Sequence, residues 1–317
     1  MIAWREDGPD GFAPLGRGGL RVRPLSFGGA PLGNLGTAVS DEDAEAAVHA
    51  AWAAGIRYFD VAPHYGLGLA EERLGRALRN YPRDEYILST KVGRVLFDPG
   101  EGSQTDTQGF AVRSSLRRVF DYSAAGVRRS LEDSLNRLGM DRVDIVFVHD
   151  PENFYRESLD GAFPALDTLR SEGVISSYGA GVNHSAILAD IVRETDSDVV
   201  LAARTWTLAD RSALTDLLPA ALEREVSVVV AGVLSPGIVG VEHGRLDELC
   251  RDFGVSIMTA ATRFPFLHPA VTTVLIGMRS AAEVETDTAS FAETIPDAFW
   301  SAILDEFGLS EPGRTAP

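Results

Sequence analysis

Short β-branched or aromatic runs alternate with helix-spaced segments eight times along this chain, and no other feature restricts its possible folds as tightly. Apolar content and turn signals predict strands at 24–30, 58–62, 86–92, 144–149, 175–182, 199–204, 226–231 and 272–276. Helical spacing covers 41–54, 70–79, 126–138, 160–171, 185–193, 213–223, 245–264 and 282–291. Ser40 reads as the N-cap of the first helix with Asp43 at the capping-box position, and Gly55 closes it. Because no Pro/Gly/Ser linker interrupts the series, the expected fold class is α/β, a closed (β/α)8 TIM barrel forming one domain over 1–317. Residues 1–19 read as an irregular lead, with a hairpin around Leu20–Val22, and 309–317 as a flexible tail. The alternative, an open doubly wound sheet, calls for a glycine fingerprint after the first strand. Gly28, Gly29, Gly33 and Gly36 do not follow G-x-G-x-x-G, and no acidic residue closes the next strand as a ribose ligand. These glycines read instead as shaping the first strand's end and letting a ligand come close.

With 317 residues, 45% hydrophobic content and a mean hydropathy near zero, the chain can bury one large core. No run approaches eighteen apolar residues, and the acidic, Gly/Pro-rich N-terminus lacks the regions of a signal peptide. A cytoplasmic protein without a membrane partner is expected. The net charge of −17 repels polyanions, so nucleic acid is not an expected partner. Arg113, Arg117 and Arg118, and Arg128 and Arg129 near Glu132 and Asp133, read as solvated surface. The lone Cys250 reads as a small buried hydrophobe, which excludes an intrachain disulfide and a multi-cysteine metal site.

Chemistry concentrates where three of the strands end. Asp60 and Tyr65 lie in YFDVAPHYG, Lys91 in YILSTKVG and His149 in DIVFVHDPE. In barrels of this kind the C-terminal rim carries the active site, so these four groups would converge there. A lysine at the inner end of a buried strand costs several kcal/mol unless a charge pairs with it, and Asp60 is the available partner. The paired cation is expected to lower the Tyr65 phenol from about 10 toward neutral pH, which makes Tyr65 the natural proton donor or acceptor. Such a set suits reduction of a carbonyl or oxidation of an alcohol.

These residues, with FDVAPHYGLGLAEERLGRAL, LSTKVGR, FDYSAAGVRRSLEDSLNRLGMDRVDIVFVHDPE and HPAV, resemble the aldo-keto reductase superfamily from about Leu20 to Leu304. The chain is most similar to its branch of D-threo-aldose and pyridoxal dehydrogenases. The resemblance implies a barrel that binds an extended nicotinamide dinucleotide across its rim and needs no metal. It makes Tyr65 the acid/base, Lys91 and Asp60 its tuning pair, and His149 the group that orients the substrate oxygen. Asn183 matches the contact to the nicotinamide carboxamide, and Trp206 falls where an aromatic ring stacks on the nicotinamide. Ser235 and Gly237 would meet the pyrophosphate from a loop shorter than in relatives, and the long loop 93–122 would cover the substrate. Glu283 stands where NADP-preferring relatives carry an arginine, and Gly277 where they carry a lysine. NAD is therefore favoured over NADP, while Arg279 stays open as a phosphate ligand. Asp287 replaces the asparagine that usually holds the adenine end. The implied activity is oxidation of an aldose to a lactone, with pyridoxal or a general aldehyde or ketone as the alternative substrate. A nucleotide-binding regulatory subunit with little turnover is the alternative of another class.

Overall fold

The computed structural model describes residues 11–234 and 244–309. Eight parallel strands close into a barrel: β1 Leu25–Gly28, β2 Tyr58–Asp60, β3 Ile87–Val92, β4 Ile145–His149, β5 Ser177–Val182, β6 Val199–Ala203, β7 Ser227–Ala231 and β8 Val271–Gly277. Each pairs with the next, and β8 returns to β1 with Gly277 opposite Gly28. Every strand expected from the sequence is present, and the closed ladder removes the open-sheet alternative. The strands are apolar almost throughout because both faces are covered. One face fills the barrel with Tyr58, Ile145, Phe147, Leu201, Val229 and Leu275, while the other packs on the helices.

The first helices are α1 Asp41–Ala53, α2 Leu69–Leu78, α3 Ala124–Leu138, α4 Phe163–Ser171, α5 Ser185–Glu194 and α6 Leu217–Glu223. Then follow α7 Arg245–Phe253, α8 Ile257–Arg263, α9 Ala281–Ala292 and α10 Asp297–Glu306. Ser40 caps α1 by accepting from the Asp43 amide, as the sequence predicts. The single helical region expected over 245–264 is two helices. Gly254, at φ +67°, turns the end of α7 back on Arg251 and Cys250, and Ser256 caps α8 afresh. Helix α10 was not expected from the spacing; Phe299, Trp300, Ile303 and Leu304 bury its inner face.

The expectation of an irregular lead over 1–19 is corrected for Ala13–Leu15, which pairs antiparallel with Leu20–Val22. Leu15 and Val22 point inward against the first residues of several strands, so this hairpin closes the barrel's N-terminal floor. The loop 93–122 also contains strand pairs, 94–97 with 117–120 and 104–105 with 113–114. Among the described residues no helix is long and apolar enough to cross a membrane.

Candidate active site

Because β2, β3 and β4 are successive neighbours, Asp60, Lys91 and His149 come together at one rim. Lys91 Nζ donates to Asp60 Oδ2 at 2.6 Å and to the Val61 carbonyl at 3.0 Å. The other carboxylate oxygen accepts from Ser89 Oγ at 2.7 Å, and Ser89 in turn meets the Tyr58 hydroxyl at 3.0 Å. Lys91 is only 2% exposed, and its pairing with Asp60 is what makes either charge tolerable there. Burial opposes the ammonium, yet Asp60 and then Tyr65 overcome it, so the Lys91 pKa stands above the ordinary lysine value.

Tyr65 hangs from the loop after β2 with Lys91 Nζ 4.7 Å from its ring centroid. Two glycines hold it there. A Cβ at Gly33 would stand 2.6 Å from the Tyr65 carbonyl carbon, and one at Gly66, itself at φ +64°, would stand 2.4 Å from the Gly33 oxygen. The loops after β1 and β2 therefore touch backbone to backbone. The expected lowering of the Tyr65 pKa is corrected. Burial of the phenol outweighs the Lys91 cation, whose field Asp60 partly cancels, and the pKa is raised above 10. Tyr65 is a phenol at neutral pH.

His149 is buried, with its ring edge-on to Tyr65 at 6.0 Å and to His64 at 5.5 Å. Its Nδ1 has no partner among the described residues, and its Nε2 stands 3.6 Å from Asp150 Oδ2, beyond hydrogen-bond length. Burial, followed by Lys91 and Arg94, holds its pKa well below that of an ordinary histidine. The site thus combines a protonated phenol, a buried ion pair that can support its anion, and a neutral imidazole.

The sequence reading missed the residues that brace this set. Arg94 pairs with Asp150 and reaches His64 Nδ1 at 3.3 Å. Tyr122 donates to the carbonyls of both His149 and Asp150, at 2.8 and 2.9 Å, and thereby holds Asp150 at φ +44°. Arg118, read from the sequence as solvated, is 7% exposed; it pairs with Asp106 and donates to the His64 carbonyl at 2.9 Å. Phe110 packs against Tyr65 and His64. The loop 93–122 therefore lies over Tyr65, His64 and His149. Arg94, three residues after Lys91, was the available signal.

Of the residues assigned to the cofactor, Asn183 is exposed one position beyond β5 on the same rim. Gly277 ends β8. Arg279 and Glu283 bind one another: the Arg279 amide and Nε donate to the Glu283 carboxylate at 2.9 and 3.0 Å, and Arg279 Nη1 donates to Thr37 at 3.1 Å. Trp206 is 2% exposed, its N–H donating to the Pro265 carbonyl at 2.9 Å and its ring packed on Phe264. As placed, it is a core aromatic and presents no ring face for stacking at the rim. Ser235, Gly237 and the shortened loop lie outside the described residues.

The aldo/keto reductase family model matches residues 24–306. The chain belongs to the aldo/keto reductase family. This aldo/keto reductase is 39% identical to the D-threo-aldose 1-dehydrogenase of a Pseudomonas species, over 90% of this chain and 94% of that enzyme. It is 37% identical to the pyridoxal 4-dehydrogenase of Microbacterium luteolum, over 92% and 96% of the two chains. The fold matches the holo form of an aldo-keto reductase from Bacillus halodurans with a TM-score of 0.76 at 24% identity, covering 96% and 99% of the two chains. The protein is an NAD(P)-dependent oxidoreductase of carbonyl and alcohol groups.

Asp287, one turn beyond Glu283 in α9 of this aldo/keto reductase, is buried without a hydrogen-bond partner among the described residues. Burial, and then the Glu283 charge, raise its pKa to about 6. A carboxyl raised in the folded state favours folding below its unfolded pKa and loses that contribution as pH rises through about 6. Asp287→Asn should therefore raise stability on the order of 1–2 kcal/mol at pH 8 and leave it unchanged near pH 4. Denaturant titrations at the two pH values check this, and an equal gain at both would refute it.

Proposed function

We propose that this aldo/keto reductase oxidises the anomeric hydroxyl of a cyclic aldose to a lactone with NAD, and that Tyr65 carries the proton. The observation that carries the reading is the buried Lys91–Asp60 pair beside Tyr65, with an uncommitted neutral His149 across from it. A structural ion pair would have no use for a phenol at its edge. The aldose reading draws on the similarity to the D-threo-aldose 1-dehydrogenase.

The residues on the rim suit a nicotinamide dinucleotide. The facing Gly28 and Gly277 leave backbone bare at the junction of β1 and β8, and Asn183 is exposed across the barrel mouth. Asn183 would hold the carboxamide, Arg279 and Glu283 the adenosine ribose, and Asp287 the adenine end. Bound NAD supplies the hydride acceptor. The remaining chemistry belongs to side chains. His149 and Tyr65 share the anomeric oxygen and fix the sugar ring; Tyr65, as the phenolate, removes the hydroxyl proton. The Lys91 cation stabilises that phenolate, and Asp60 keeps Lys91 charged and aimed. In the opposite direction the phenol protonates the alkoxide as it forms.

NAD rather than NADP fits the rim chemistry, because Arg279 is already engaged by Glu283. A 2′-phosphate would have to displace that carboxylate, whereas a ribose hydroxyl could join it. Turnover of a panel of aldoses, pyridoxal and simple aldehydes with NAD and with NADP, read by the reduced cofactor and by lactone formation, tests both halves. Aldose oxidation with higher kcat/KM for NAD is expected. Turnover of pyridoxal but of no aldose would overturn the substrate assignment, and higher efficiency with NADP the cofactor preference.

A further inference from the structure

On the floor of the barrel, at the end opposite the catalytic rim, a cleft of about 480 Å³ opens beside the N-terminal hairpin. Its lining includes Arg21, Arg23, Arg57, Arg83 and Arg142, against three carboxylates, Asp84, Glu85 and Asp144. Such a concentration of cations runs against the composition of a chain whose net charge is −17. Two of the five are neutralised locally, Arg83 by Asp144 at 2.7 Å and Arg142 by Asp84. The other three form no ion pair among the described residues.

Each of these three retains unused donors. Arg23 lies with its guanidinium carbon 4.9 Å from the Phe12 ring centroid, and its buried Nε has no hydrogen-bond partner. Arg57 stacks on Trp52 at 3.7 Å and donates through Nη1 to the Trp52 and Ile56 carbonyls. Burial lowers its pKa, Glu85 opposes that, and the charge of Arg23 adds to the lowering, so the two cations feel one another. Arg21 donates through one nitrogen to the Phe12 carbonyl.

Nearby arginines on the same floor are treated differently. Arg17 and Arg170 are engaged by Asp167, Asp196 and Asp198 in one network. There the fold supplies carboxylates for both arginines. Around the cleft Glu85 alone faces Arg21, Arg23 and Arg57 without an ion-pair bond, and the net excess of like charge in partly buried surroundings carries a cost that an anion would remove.

We propose that this cleft binds the phosphate group of a small metabolite, with Arg21, Arg23 and Arg57 around the dianion and Phe12 and Tyr86 against the body that carries it. Guanidinium forks match phosphate oxygens two at a time, and three cations against the single Glu85 leave an excess of two positive charges, which suits a doubly charged group better than a carboxylate. The site is separate from the rim, and its occupancy does not depend on which sugar or cofactor the enzyme uses.

Calorimetric titration of the full-length protein with inorganic phosphate, and with acetate as the singly charged control, tests the proposal at low ionic strength. One saturable phosphate site is expected, with acetate at least about tenfold weaker. Arg23→Gln should weaken phosphate about tenfold or more, because it removes a charge-assisted donor without breaking any hydrogen bond of the folded chain. Arg57→Lys, which keeps the charge but loses the fork, should weaken it by a smaller factor. Absence of a saturable heat, equal affinity for acetate, or unchanged phosphate affinity in Arg23→Gln would each overturn the assignment.

Discussion

Tyr65→Phe is expected to lower kcat/KM about 10²- to 10⁴-fold in both directions while the protein stays folded, since proton transfer by a positioned side chain contributes about that much. The substitution removes one hydroxyl and keeps the ring against Phe110 and over Lys91. The buried Lys91–Asp60 pair is untouched, so circular dichroism and the denaturation midpoint should barely move. A loss confined to KM would mean that Tyr65 binds substrate without moving its proton. Unchanged kcat/KM would remove it from the chemistry.

The second large effect lies in the ion pair, where stability and activity should separate. Lys91→Met leaves the Asp60 carboxylate buried with only Ser89 as a donor, and Asp60→Asn leaves the Lys91 ammonium with only neutral acceptors, the nearest the Val61 carbonyl. Removing one partner of a buried pair costs about 3–5 kcal/mol. Each single variant should lose about that much stability and most of its activity. The double variant Lys91→Met with Asp60→Asn should recover much of the stability, because no uncompensated charge remains, and none of the activity, because nothing supports a Tyr65 phenolate. Urea unfolding and steady-state kinetics on the three variants check this. Recovery of turnover in the double variant would show that Lys91 serves the fold alone.

The barrel was legible because strand and helix periodicities differ and alternate without a linker, and closure follows from their number. The convergence of Asp60, Lys91 and His149 on one rim was legible for a related reason: polar side chains at the ends of apolar strands have few structural excuses. The direction of the Tyr65 shift was not. Sequence places Lys91 near the phenol, but desolvation opposes it, and the packing that desolvates the ring, Phe110 included, comes from loops distant in sequence. Asp150, Arg118 and His64 escaped for want of a local pattern, whereas Arg94, three residues after Lys91, carried one. Their meeting depends on the antiparallel pairing of 94–97 with 117–120, which joins residues twenty or more positions apart. Trp206 illustrates the converse, since an aromatic after β6 can turn toward the rim or into the core, and its bond to Pro265 turns it inward. The Arg279–Glu283 contact lies at helical spacing and could have been anticipated, which would have made the two a single unit rather than competing ligands.

Tyr65 is the proposed proton carrier, and burial holds it as a phenol at neutral pH. The pH dependence of kcat/KM in both directions tests it most directly. With a Tyr65 pKa above 10 and His149 neutral throughout, carbonyl reduction should be flat between about pH 6 and 9 and fall only above about 10. Alcohol oxidation, which needs the phenolate, should climb about tenfold per pH unit over the same range. An oxidation rate that levels off below about pH 8, or an inflection near 6.5 in either direction, would contradict this assignment and pass the proton to another group, His149 first.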